Sequence, residues 1–108
     1  MLNGVNLKGA GLTGTNMWNA NLQNANLSDI HLMDANLQSS KLWNAKLLTA
    51  NLTGADLTGA KVLEKNWLTL LDEWEVIGTA AFQRDYEMGN YVEDGDMGLS
   101  YYLIQPKS

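Results

Sequence analysis

The sequence predicts an all-β solenoid, in which short extended segments coil round a Leu/Ala interior, followed by a helix and a β-hairpin. Three observations carry this prediction. An apolar centre recurs every five residues from Leu2 to Val62, 13 times without a slip. Two residues before each centre the side chain is small or apolar, and eight of those twelve positions are Ala. From Leu63 onward the five-residue register ends and the composition turns acidic.

The centres are Leu2, Leu7, Leu12, Met17, Leu22, Leu27, Leu32, Leu37, Leu42, Leu47, Leu52, Leu57 and Val62. From Leu7 onward the residue just before each is polar or Gly, most often Asn, so the unit is A-N-L-x-x. In an α-helix five residues advance by about 140°, so the leucines would spiral round the axis and form no stripe. In a straight strand an odd period throws successive leucines to opposite faces. The pattern is satisfied if the chain is extended for about three residues and then turns a corner. The small residue and the Leu then face inward and the Asn faces out. The two remaining positions make the corner, and they include Gly9, Gly14, Asn19, Asn24, Asp29, Asp34, Asn44, Gly54 and Gly59, residue types that turns favour.

GADLTGAKV, NANLQNANL and DANLQSSKL resemble the repeats of pentapeptide-repeat proteins, and the resemblance covers residues 1 to about 63. It implies a right-handed quadrilateral β-helix with four pentapeptides per square coil. Thr15, Ile30 and Ser40 stand where the repeat has Ala, and Met17 and Val62 where it has Leu; Ile30 is expected to push its wall outward or fill a local gap.

Four units per coil put residues twenty apart in columns and make about three coils over 1–62. At ~4.8 Å between stacked strands the tower is about 15 Å tall. Its interior ladders are Leu2, Leu22, Leu42 and Val62; Leu7, Leu27 and Leu47; Leu12, Leu32 and Leu52; and Met17, Leu37 and Leu57. The first and last coils are left with unpaired edges and an open apolar end, which repeat architectures must cap. The end around Leu2, Val5, Leu7 and Leu12 is expected to stack on another molecule, most simply as a symmetric dimer. The alternative is a preceding segment that covers it.

Residues 63–108 form the second unit, an acidic capping or appended segment. The repeat carries four Lys against three Asp; the segment carries nine acids against three bases, so the net charge of −5 belongs to the segment. Leu63, Trp67, Leu70, Leu71 and Trp74 recur at helical spacing and predict a helix from about Glu64 to Glu75. NYVE and GLSYYLI are β-type runs separated by Asp94-Gly95-Asp96, a hairpin signature ended by Pro106. The helix is expected to cover Leu42, Leu47, Leu52 and Leu57.

Corner positions are polar except for Trp18, Met33, Trp43 and Leu48. Trp43 shares a column with Leu63 and lies one corner from Leu48, so these three are expected under the acidic segment. Trp18 is a coil earlier, and an aromatic residue left on a surface is an interface anchor.

Catalytic and metal chemistry find little support. Cys is absent and His31 is the only His, which excludes thiol nucleophiles and Cys-ligated metals and leaves no His cluster. Glu93 to Gly98 packs three carboxylates into four residues but lacks calcium-loop spacing. Asp29 and Asp34 lie on neighbouring corners, yet paired acid–base carboxylates need a cleft, which a Leu-filled tower does not offer. Gly9 and Gly14 belong to the repeat corner, and no G-x-x-x-x-G-K follows. No enzyme and no cofactor are expected.

The acidic balance argues against nucleic-acid binding, and no run of 18 apolar residues or basic leader is present. The reading is of a soluble, cytoplasmic, non-catalytic structural or protein-interaction module with an unnamed protein partner. The resemblance adds two alternatives: a DNA mimic that binds the topoisomerase gyrase, and an interaction domain of a larger signalling or effector protein. The mimic needs a carpet of carboxylates on the repeat, and here three Asp face four Lys.

Overall fold

A computed structural model describes residues 3–94 and 99–107. Through the repeat, single residues form parallel bridges with residues twenty positions on: Asn6 with Asn26, Gly11 with His31, Asn16 with Asn36, Asn21 with Lys41, and so on to Lys41 with Lys61. The backbone therefore returns alongside itself once every four five-residue units. Extended structure within the repeat amounts to one bridging residue per unit, and only the last unit lengthens into a strand, β1 (Lys61–Val62).

Hydrogen-bond accounting explains why the period is five. In the unit 25–29, Ala25 N–H closes a turn onto Leu22 C=O at 3.1 Å, Asn26 N–H reaches back to Val5 at 2.9 Å, and Leu27 N–H reaches forward to Lys46 at 2.8 Å. Ser28 N–H donates to the Asn26 side-chain oxygen at 3.1 Å, and Asp29 N–H donates to Leu48 C=O at 3.0 Å. All five donors are satisfied, as a folded backbone requires. The Asn that precedes each Leu is therefore more than an outward polar residue, because its side chain holds the first corner amide. Asn6, Asn16, Asn21, Asn36, Asn51 and Asp56 do the same.

The second corner residue of every unit has positive φ, between 57° and 75°, from Gly4 to Gly59. With the Leu C=O accepting from the amide three residues on, this is the φ signature of a type II turn. Gly adopts it without cost, and Asn and Asp tolerate it. Ser39, at φ 61°, and Thr49, at φ 57°, fall outside that set, and Thr49 alone is β-branched.

The second-coil side chains Leu22, Leu27, Leu32 and Ile30 are completely buried, and Ile30 takes the Ala position inside the core. Each fully buried Leu contributes about 1.5–3 kcal/mol. The core continues without a break into the C-terminal segment, where Trp67, Leu68, Leu71, Val76, Phe82 and Ile104 join the same cluster as Leu42, Leu47, Leu52 and Leu57.

The segment differs in detail from the sequence expectation. Its first helix, α1 (Trp67–Glu73), is shorter than 64–75. Glu75 takes φ 55° and ends the helical run. Val76 and Ile77 then return to the coil, where Ile77 forms a parallel bridge with Asn51. A second helix, α2 (Thr79–Asp85), was not foreseen; it buries Phe82. β2 (Tyr86–Asp94) and β3 (Leu99–Pro106) pair antiparallel, with an irregularity between Met88 and Tyr91. β3 also pairs with β1, giving a sheet of order β1-β3-β2 that ties the tail to the last unit of the repeat. The expected turn residues Gly95 and Asp96 lie outside the described residues.

Candidate functional site

The two ends of the coil differ sharply. In the first coil the inward residues Val5, Leu7, Ala10, Leu12, Met17 and Ala20 are only partly buried, whereas Leu22 to Val62 in the same roles are 0–9% exposed. The amides of Asn6, Gly11 and Asn16 find no partner among the described residues, although Asn26, His31 and Asn36 one coil later each bond to the coil before. Leu2, the remaining candidate at this end, lies outside the described residues. Trp18 stands on the outer corner of the same coil with 60% of its surface exposed. Between the start of the chain and Ser28 the only charged side chain is Lys8.

At the other end the tail lies over the coil. Trp43 is buried, with its ring 5.9 Å from that of Tyr101 and the Lys41 ammonium 5.9 Å from its centroid. Trp67 and Leu71 are buried, Leu63, Leu70 and Trp74 are half-buried, and Trp67 meets Trp74 edge to face at 6.3 Å. Leu48 departs from expectation: it is 53% exposed. The Trp74 carbonyl reaches this corner and accepts the Thr49 N–H at 2.8 Å, but the cavity between the third coil and α1 keeps the Leu48 side chain open.

The junction also corrects the expectation of a tower without a cleft. A cavity of about 320 Å³ separates the third coil from α1; it is lined by Leu42, Leu47 and Leu48 on one side and Trp67 and Trp74 on the other, with Lys46 and Glu64 among its residues. This is the low end of small-molecule site volumes, roughly 300–1,000 Å³. Sequence periodicity misses it, because the residues that shape it lie where the period ends.

A smaller cleft, about 240 Å³, holds Asp56 and Asp85 beside Phe82 and Tyr86. Burial pushes the Asp56 carboxyl up, but hydrogen bonds from Gln38, the Thr58 amide and hydroxyl, and the Tyr86 hydroxyl outweigh it and hold the group below the usual carboxylate range. Asp85 is exposed and held low by its hydrogen bonds to Arg84, at 2.8 and 2.9 Å. Both carboxylates are committed anions, unsuited to donating a proton near neutral pH.

His31 is exposed. Asp29 accepts the Thr49 hydroxyl, and Asp34 faces the Gly54 backbone one coil on. No group of three metal-ligating side chains occurs among the described residues, and most of the acidic run 93–98 lies outside them. No described helix is long and apolar enough to cross a membrane.

No curated protein matches this chain. A family model described as pentapeptide repeats matches residues 1–29 and 30–62, in eight copies. This is the stretch whose bridges recur every twenty residues, and it makes up more than half of the sequence. The chain belongs to the pentapeptide-repeat family.

Proposed function

We propose that the repeat is a right-handed quadrilateral β-helix of about three coils, closed at one end by residues 63–108, and that the chain works in the cytoplasm as a non-catalytic structural or protein-interaction module. Its docking face is the end of the first coil. The observation that supports this reading is the contrast between Leu7 and Leu12, half-open at that end, and Leu27 and Leu32, sealed one coil later.

The partner at this face is a second copy of the chain. Val5, Leu7 and Leu12, together with Leu2, meet their own counterparts, and Trp18 packs at the margin. Charge depletion supports an interface here: with Lys8 alone charged in the first 28 residues, joining two such ends desolvates few ions. A two-fold arrangement uses one patch twice and closes on itself.

Sedimentation velocity tests the proposal. The wild-type chain sediments as a dimer at micromolar concentration; Leu12→Glu, with circular dichroism unchanged, sediments as a monomer, and Trp18→Ala dissociates more readily than wild type. A wild-type monomer at high micromolar concentration overturns the reading.

A further inference from the structure

Among the described residues, the outward edge of the third coil is bridged on two walls, half met on the wall 55–57 and unmet on the wall 45–47. On the wall 50–52, Ile77 donates its N–H to Ala50 C=O at 2.8 Å and accepts Leu52 N–H at 3.0 Å. At the start of β1, Ile104 donates to Ala60 C=O at 2.9 Å and accepts Gly59 N–H at 2.7 Å. On the wall 55–57 the Leu57 amide finds the Tyr86 hydroxyl at 3.3 Å, while Ala55 C=O has no partner among the described residues. On the wall 45–47, Lys46 is fully paired toward the second coil: its N–H reaches Ala25 at 2.9 Å and its C=O accepts from Leu27 at 2.8 Å. On the outward side, Ala45 C=O and Leu47 N–H have no partner among the described residues. Both residues are buried, where an unpaired backbone group costs about 1–3 kcal/mol.

The cavity of about 320 Å³ lies against this wall. Its walls are Leu42, Leu47, Trp67 and Trp74, and neither Lys46 nor Glu64, which also line it, makes a side-chain hydrogen bond or ion pair among the described residues.

We infer that the wall 45–47 receives an extended peptide segment of a partner protein, which adds one parallel bridge opposite Lys46 and seats an apolar side chain in the cavity between Leu47 and Trp74. Ile77 shows the required geometry on the adjacent wall. The bridging residue turns its side chain outward, 52% exposed for Ile77, and the residue before it turns inward, 7% exposed for Val76. The bound segment therefore has an apolar residue followed by the bridging residue. The bridging side chain lies beside the Lys46 ammonium, so an acidic residue is preferred there. Main-chain bonds supply the binding and the cavity supplies the selection, as in strand addition to a sheet edge. The site is at the opposite end of the coil from the proposed dimer face and does not depend on it.

The test uses the full chain and a blocked tetrapeptide, Glu-Val-Glu-Gly, followed by amide and indole resonances in nuclear magnetic resonance. The Leu47 amide and the Trp67 and Trp74 indoles shift saturably, while the Trp18 indole does not. Methylating the nitrogen of the bridging Glu removes the donor to Ala45 and weakens binding by about tenfold, the equivalent of one hydrogen bond. Replacing that Glu by Lys weakens it by roughly two- to fivefold, and replacing Val by Asp abolishes it. Unmoved Leu47, Trp67 and Trp74 resonances overturn the inference. So does an N-methylated peptide that binds as well as the parent, which would make the cavity a site for apolar side chains with no strand pairing.

Discussion

Ile77 forms a parallel bridge with Asn51, 26 residues earlier, where every bridge within the repeat spans twenty. The additional residues are taken up by the segment that lifts off at Leu63 and runs through α1, which brings the chain back in register one wall further on. The coil is thus continued by a single bridging residue that carries none of the repeat sequence.

Because the contribution of Ile77 is main-chain, the substituent matters less than the amide. Ile77→Thr, at a side chain that is half exposed, is expected to change stability by no more than about 0.5 kcal/mol. Ile77→Pro removes the donor to Ala50 and is expected to destabilise by roughly 1–3 kcal/mol. Urea unfolding followed by circular dichroism measures both, and equal effects would contradict the bridge.

Thr49 is the one β-branched residue at a left-handed corner. Replacing it by Gly relieves about 1 kcal/mol of backbone strain, offset in part by loss of the hydroxyl contact with Asp29. Thr49→Gly is expected to raise the urea midpoint. At Gly78, φ 93°, a Cβ would meet the Thr53 backbone and hydroxyl at 2.8 Å, so Gly78→Ala is expected to lower it.

Ser40 is fully buried in a small-residue position between Ala20 and Ala60, and its hydroxyl has no partner among the described residues. Thr15, in the same role one coil earlier, donates its hydroxyl to Leu12 C=O at 2.7 Å. Ser40→Ala removes an unsatisfied polar atom and restores the commonest residue of the repeat. It is expected to stabilise the chain by about 1 kcal/mol, read as a higher unfolding midpoint with unchanged urea dependence.

Asp56 gives the fold a dependence on acid. Burial pushes its folded carboxyl up, but the Gln38, Thr58 and Tyr86 hydrogen bonds together outweigh it and hold the group below the usual carboxylate range. A depressed folded pKa contributes stability that is fully present well above the unfolded value. That stability is lost as pH falls through about 4 toward the lower folded value. Asp56→Asn is expected to reduce stability at neutral pH and to flatten its decline below pH 4 in an acid titration of the urea midpoint. A parallel decline in wild type and variant would contradict this assignment.

The repeat was legible in the sequence because each of its five positions has a separate physical duty, and thirteen repetitions expose all five. The role of the Asn position was only half legible. Side-chain alternation turns it outward, but its bond to the corner amide is a matter of distance. The tail was less legible. Trp67 and Leu71 marked α1, yet a helix of seven residues gives too few turns to fix its ends. The run 79–85 buries Phe82 alone and so leaves no stripe to mark α2. Val76 and Ile77 looked like the end of a helix, because a single bridge has no sequence period. Leu48 stays exposed because the tail meets its corner through the main chain of Trp74 rather than through packed side chains, which column logic does not distinguish. The unpaired groups at Ala45 and Leu47 are main-chain and so leave no mark in the sequence.

Amide hydrogen exchange at two protein concentrations tests the central claim, that the first-coil end docks a second copy, most directly. The amides of Asn6, Gly11 and Asn16 face that end, whereas those of Asn26, His31 and Asn36 are paired within the chain. Protection at Asn6, Gly11 and Asn16 is expected to fall as the protein is diluted through the dimer dissociation constant, with Asn26, His31 and Asn36 unchanged. Fast exchange at Asn6, Gly11 and Asn16 at every concentration would contradict the claim.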